Sequence, residues 1–374
     1  MRPSFVAIAV SLSLAALMPA TSNASQPNGS VVSGTGHGVH YGTLPIPVQY
    51  TAGVGYELID NTRNGISSSD GGGFNRYYAT YRGPQQFVSP TTSFGDGSAA
   101  SLSSMGVDAY YAMQRSWDYF KLVHARNGLD ARNRRATVYS HVVDLAPGRK
   151  TTGYSYWSGT TVLLGIGDAA AGIEPLATLD IVGSMYAANI VYNTDPDPGR
   201  GDSQGVRSSI ADVFGTLIEF HAAHPNDPGD YVIGELAYPG GLRHMYRQNL
   251  DGKSFVCYPA RGFDPNDESP AYSGEYTSGI GNRAFYLLAE GATAPAGSGL
   301  SADQLVCNGD TAIVGIGRAK AGAIWYRLAT TEKTSQLTYP QARAATIRAA
   351  EALYGVKSAE ARAVARAWSA AGVK

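Results

Sequence analysis

The chain has 374 residues, a formal net charge of -1, 44% hydrophobic residues and only 16% charged ones, a balance that excludes a disordered chain. Its densest basic cluster, Arg132-Asn133-Arg134-Arg135, falls short of the footprint that phosphate-backbone binding needs, so nucleic acid is not an expected partner. The 45 Gly and 24 Tyr beside two Cys point to an exported protein of one large domain or two ordinary ones.

Residues 1–24 read as a secretory signal: Arg2 gives the positive start, Phe5 to Met18 is mostly apolar, and Ser22-Asn23-Ala24 offers small residues for cleavage. The apolar run of about 14 residues is short of the roughly 20 that span a bilayer, so a membrane anchor is the weaker reading, and a secreted or periplasmic location is expected. Residues 25–47 carry no helical period and read as extended or loosely ordered. Up to about residue 162, short β-rich runs alternate with turn clusters such as Ser69-Asp70-Gly71-Gly72-Gly73. One helix interrupts them, with Val107, Tyr110, Tyr111, Trp117, Phe120 and Val123 at helical spacing and Arg126-Asn127-Gly128 ending it. After Asp180 the chain turns helical, over 181–191, 206–221, 280–289, 315–330, 339–353 and 358–371. The helix over 206–221 places Val206, Ile210, Val213, Phe214 and Leu217 on one face. A β-rich half thus joins an α-helical half, and a cleft between them is the natural place for a site.

The seven histidines are His37, His40, His124, His141, His221, His224 and His244, and no two lie four apart, so no helical H-E-x-x-H exists. His37 and His40 sit in a Gly-rich arm, and His221 and His224 close an amphipathic helix, where a cation suits the dipole. No G-x-S-x-G elbow occurs. In an oxidising compartment Cys257 and Cys307 pair, closing a loop that stabilises the fold by roughly 4 kcal/mol, with two separate buried thiols as the alternative. The acidic groups Asp180, Glu219, Asp227, Asp230 and Glu235 would repel one another on converging unless a hard cation such as calcium joined them; solvated loop acids are the alternative.

Five stretches carry a resemblance. Tyr56-Glu57-Leu58-Ile59-Asp60-Asn61-Thr62-Arg63, Gly106-Val107-Asp108-Ala109-Tyr110-Tyr111, Tyr156-Trp157-Ser158-Gly159, Asp212-Val213-Phe214-Gly215-Thr216-Leu217-Ile218-Glu219-Phe220 and Ser278-Gly279-Ile280-Gly281-Asn282-Arg283-Ala284-Phe285-Tyr286-Leu287-Leu288 resemble, in order and spacing, the thermolysin family of neutral zinc metallopeptidases. The resemblance runs from about residue 50 to Val373. It implies an α+β fold: a β-rich N-terminal domain over 25–196 that ends in a central helix flooring a cleft, then an α-helical C-terminal domain over 197–374.

The family's zinc residues do not carry over. Its H-E-x-x-H falls on Ser184-Met185-Tyr186-Ala187-Ala188, so the two His ligands become Ser184 and Ala188 and the general base becomes Met185. The third ligand falls on Ser208 and the transition-state histidine on Glu275, while the acid that orients a ligand remains as Asp212. Removing one member of such a unit costs several powers of ten in rate. The resemblance with these losses implies a pseudoenzyme, a secreted homologue that is not an enzyme, binds a peptide or protein and does not take zinc. The alternative is a hydrolase of the same fold with repurposed chemistry, using Glu275, Asp212 and Ser184, or with atypical metal-dependent peptidase activity. The family's calcium site matches Asp180, Glu219, Asp230 and Glu235 with the carbonyl of Val232, although about three extra residues leave Asp227 and Asp230 competing for one role. Trp157 and Arg243 match cleft positions that meet substrate, with packing and a structural salt bridge as their other readings. The stretch Gly153-Tyr154-Ser155 departs from the family's Asn-Ala pair, and only a few tens of residues stand where the family carries a long prosegment.

Overall fold

A computed structural model describes residues 26–72, 83–142, 144–146, 149–151, 155–194, 200–264, 266, 269–333 and 336–374. The expected signal at 1–24, and Gly73, Gly153 and Tyr154, lie outside the described residues.

The first β-rich part contributes β1 (Val31–His37), β2 (Thr43–Thr51), β3 (Gly55–Glu57), β4 (Ile59–Asp60), β5 (Ile66–Asp70), β6 (Gln85–Gln86), β7 (Val88–Ser89) and β8 (Ser93–Phe94). Within the stretch read as extended or loosely ordered, the extended reading holds: Val31–His37 pairs with residues 43–49 in an antiparallel hairpin, with Val31 opposite Gln49 and His37 opposite Thr43. The reason is a period of two: Leu44, Ile46 and Val48 point alternately into the core, a pattern that Gly and Pro neighbours obscure in the sequence. One sheet runs β7-β3-β2-β1-β8.

Helix α1 (Leu102–His124) starts where the Ser101 hydroxyl accepts the Ser104 N–H at 3.2 Å and stops where Ala125 turns left-handed at φ 53. It packs closely on the hairpin, since a Cβ on Gly36 would come within 2.6 Å of a Val107 methyl. The next strands are β9 (Thr137–Val142), β10 (Asp144–Ala146), β11 (Arg149–Thr151), β12 (Ser155–Ser158) and β13 (Thr161–Gly165). The second sheet runs β12-β13-β9-β5-β4, with β6 on β5, and α1 lies against β5 and β9.

Helix α2 (Leu179–Thr194) is held between this part and α3 (Asp202–Ala222). Two glycines set the spacing of α2 and α3: a Cβ on Gly215 would collide with the Asp180 carbonyl and the Ser184 hydroxyl, and one on Gly183 would sit 3.2 Å from the Gly215 Cα. The short strands β14 (Val232–Ile233) and β15 (Arg243–His244) follow, then α4 (Gly274–Thr277), α5 (Gly279–Glu290), α6 (Arg318–Arg327), α7 (Tyr339–Tyr354) and α8 (Ala359–Ala370). The helix expected over 315–330 begins only at Arg318, because Gly317 sits at φ 83, and it widens into a π turn over Leu328–Glu332. Helix α7 opens with a capping box between Thr338 and Gln341.

The core of the helical part is aromatic: Trp325 stacks on Trp368 with ring centroids 5.8 Å apart, and Phe285 meets Trp325 edge-on. Cys257 and Cys307 form the expected disulfide. The backbone N–H groups of Cys307 and Tyr258 donate to Ala370 and Ala371, tying both loops to the end of α8. The β-rich amino-terminal part and helical carboxyl-terminal part are the α+β arrangement expected from the sequence.

Candidate functional site

Helix spacing builds the floor of the cleft. On α2, Ile181, Ser184, Met185, Ala188 and Val191 fall on one face at intervals of three and four, and Gln204, Arg207, Ser208, Ala211 and Asp212 do the same on α3. Both faces line one cavity of about 730 Å³, walled by β12, Leu242, Arg243 and α4. Ser184, Met185, Ala188, Ser208 and Glu275, scattered over 92 positions of sequence (184 to 275), all meet in it, together with Trp157 and Arg243.

The charged groups of the cleft are largely engaged. Arg243 donates from Nε to Asp212 Oδ2 at 2.9 Å and from Nη2 to Asp212 Oδ1 at 2.6 Å. Burial opposes the guanidinium charge, and Asp212 more than offsets it, raising the pKa. Asn282 also donates to Asp212 at 2.8 Å, and the Ser278 hydroxyl at 3.4 Å. Arg243 therefore makes the salt bridge that was one of its two readings, and it does so on the wall of the cavity, where the other reading put it. Trp157 packs on Tyr192 with ring centroids 4.5 Å apart while lining the same cavity.

The donor set at the floor does not fit zinc, which takes imidazole, thiolate or carboxylate ligands. Ser184 and Ser208 offer neutral hydroxyls, Ala188 a methyl and Met185 a thioether, and no histidine is among the residues lining the cavity. Asp212 already accepts from three partners, which leaves Glu275 and Asp168 as exposed carboxylates on the wall.

A second cluster lies behind the start of α2. Glu219 near the end of α3, Asp227 in the following loop and Glu235 each present an oxygen within 4.8 Å of the others. Glu219 is fully buried, and among the described residues no N–H or hydroxyl donor reaches either of its carboxylate oxygens, which face other carboxyl groups; no such donor reaches Glu235 Oε2. A buried carboxylate left this way costs several kcal/mol unless it is protonated or joined by a cation. Accordingly, burial and then the charges of Asp180, Glu235 and Asp227 push Glu219 far above the carboxylate range. Burial, followed by Asp180 and Asp230, pushes Glu235 up to about 9, and burial followed by Asp180 pushes Asp227 up to about 6.

Asp180 stands beside the trio, fully buried, and accepts from Thr178 Oγ1 at 2.5 Å, Ile181 N at 2.7 Å and the Gly234 N–H. Of Asp227 and Asp230, which compete for one role in the sequence, it is Asp227 that lies with Glu219 and Glu235. The Asp230 carboxylate is turned to its own loop, accepting the Val232 N–H at 2.6 Å, whereas Asp227 is held inward by the Tyr41 hydroxyl at 2.8 Å. Three carboxylates without an imidazole fit a hard cation such as calcium. Tyr41 had no place among the residues singled out from the sequence. Its partners Leu179 and Asp227 lie 138 and 186 positions away, so no local pattern marks it.

Comparison with known proteins agrees with this architecture. Residues 33–184 match the family described as "Thermolysin metallopeptidase, catalytic domain", and residues 200–373 match "Thermolysin metallopeptidase, alpha-helical domain". The transglutaminase-activating metalloprotease of Streptomyces mobaraensis is 31% identical over 355 residues, which cover 92% of this chain and 43% of that protein. Thermolysin of Alicyclobacillus acidocaldarius subsp. acidocaldarius is 31% identical over 368 residues, covering 92% of this chain and 58% of that protein. The chain thus spans about half the length of these relatives. Among solved structures, the precursor of protealysin, a metalloproteinase from Serratia proteamaculans, superposes with a TM-score of 0.59 at 23% identity, over 83% of this chain and 88% of that one, a likeness of fold. These findings correct the expectation that the chain is not an enzyme: relatives at 31% identity are named metalloproteases, and the matching family is described as a catalytic domain, so the family points to an enzyme.

Proposed function

This chain belongs to the thermolysin metallopeptidase family, and from that premise we propose that it is a secreted protein whose cleft binds an extended peptide or protein segment, with no zinc-dependent step at the family's zinc position. The observation that carries this reading is the meeting of Ser184, Met185, Ala188, Ser208 and Glu275 with Trp157 and Arg243 around one cavity. Its volume suits several residues of a bound chain, its β12 edge offers backbone partners for an extended strand, and among the described residues its floor carries no histidine or cysteine. Cleavage by other groups of the same cleft is the second reading; it is favoured by the relatives' being metalloproteases and by the Glu275 carboxylate on the wall. The same premise makes Glu219, Asp227 and Glu235, with Asp180 beside them, the holders of a structural calcium ion, whose charge would compensate carboxylates that otherwise repel.

Metal analysis of the purified protein, with binding and cleavage of a labelled peptide library, tests the proposal. Saturable peptide binding that persists after zinc chelation, and weakens about tenfold in Trp157→Ala, is the expected result. Stoichiometric zinc with zinc-dependent cleavage overturns it, as does the absence of peptide binding. Metal-independent cleavage lost in Glu275→Gln would select the second reading.

A further inference from the structure

Tyr41 is buried at the turn between β1 and β2, and its hydroxyl bonds in two directions at once. It donates to Asp227 Oδ2 at 2.8 Å and accepts the N–H of Leu179, the first residue of α2, at 2.6 Å. The ring is held edge-on to His224, with centroids 4.9 Å apart. The turn it belongs to is anchored independently, because the Asp108 carboxylate on α1 accepts the backbone N–H groups of Val39 at 2.7 Å and His40 at 2.9 Å. A phenol carried by the hairpin thus fixes one carboxylate of the acidic trio and the amino end of the cleft-floor helix.

We propose that Tyr41 is a positioning residue of the cation centre and the strut through which an ion at that centre pins the β1–β2 turn and the start of α2. The inference rests on the calcium reading given above and assigns a role within it. With the ion bound, the Asp227 carboxylate has one orientation, and the Tyr41 hydroxyl bond with it. Without the ion, nothing joins the three oxygens in one arrangement, Asp227 is free to turn outward, and the strut loses its far anchor. Partners that orient a metal ligand alter metal affinity by about 10- to 100-fold.

Calcium titration by calorimetry, paired with hydrogen exchange of the hairpin amides in calcium and in chelator, tests this on the full chain. Wild type should bind calcium, and chelation should speed exchange at the Gly38 amide, which donates across the turn to Gly42. Tyr41→Phe, which keeps the ring and removes the hydroxyl, should bind calcium about tenfold more weakly, and its hairpin exchange should no longer respond to calcium. A purely structural tyrosine would instead raise exchange equally with and without the ion. Wild-type affinity in Tyr41→Phe, or wild-type hairpin exchange indifferent to calcium, overturns the strut while leaving the calcium reading intact. A wild-type protein that binds no calcium overturns both. Asn226→Ala, which loses a side-chain bond to the His40 carbonyl and removes no carboxylate, should keep wild-type affinity, and a tenfold loss there would overturn the specific role of Tyr41.

Discussion

Asp212 accepts from Arg243, Asn282 and Ser278, so its charge is spent inside the protein, whereas among the described residues no such donor reaches the Glu219 oxygens. The two acids sit on the same helix seven positions apart, and their different surroundings give them different chemistry. Histidine shows the same dependence on environment. His124 stacks on Tyr326 with centroids 4.1 Å apart and meets the Tyr119 hydroxyl at 3.2 Å, with Phe120 and Phe214 closing the shell. Burial pushes it down to about 4. Above pH 6.5 the imidazole is neutral in both folded and unfolded chains, and stability does not depend on it. As pH falls from 6.5 toward 4, the unfolded chain takes up a proton that the folded one refuses, so stability falls by about 3 kcal/mol. Melting temperatures of wild type and His124→Gln between pH 7 and pH 4 check this: the variant should show the shallower decline, and equal slopes would exclude His124 as the cause.

At the scale of elements, the contact of α2 with α3 determines whether the cleft floor exists. Both helices present their cleft faces side by side only because Gly183 and Gly215 let the backbones approach. An alanine at Gly215 would strike the Asp180 carbonyl, which is backbone and cannot swing away, whereas one at Gly183 meets the Ile218 side chain at 3.0 Å. Gly215→Ala should therefore destabilise the protein by about 2 kcal/mol and weaken peptide binding with it, with Gly183→Ala milder. Denaturant unfolding of the two variants measures the difference; equal midpoints would mean that the helices can move apart without loss. The hairpin of β1 and β2 is an element of a different kind. Its anchors are Asp108, Pro175 and Asp227, so its order depends on segments far along the chain.

For the molecule as a whole, a buried trio of carboxylates joining α3, its following loop and the stretch after β14 makes global stability depend on what compensates their charge. Calcium at 100 times its dissociation constant adds about 2.7 kcal/mol if it binds only the folded chain. A chelator should accordingly lower the melting temperature by several degrees, with recovery on adding calcium and none on adding magnesium, which prefers a stricter octahedron. Scanning calorimetry in the three conditions decides the point, and a melt unchanged by chelator would leave protonation as the compensating device.

Much of this was legible along the chain. The long helices α1, α3, α7 and α8 announce themselves through apolar residues at three- and four-residue spacing, because each has one face in the core and one in water. The five stretches resembling thermolysin fixed the fold and led to the floor residues Ser184, Met185, Ala188 and Ser208, since identity and order of side chains survive in a linear text. What sequence could not decide was which of Asp227 and Asp230 turns inward, that the extended stretches Val31–His37 and Thr43–Thr51 pair with one another, and that Tyr41 touches the acidic trio. Each of those outcomes depends on a partner brought close only by folding: the Val232 amide for Asp230, β2 opposite β1, and a carboxylate 186 positions from its phenol. Residue types set what each group is able to do, and the distances that select among those abilities are properties of the tertiary structure alone.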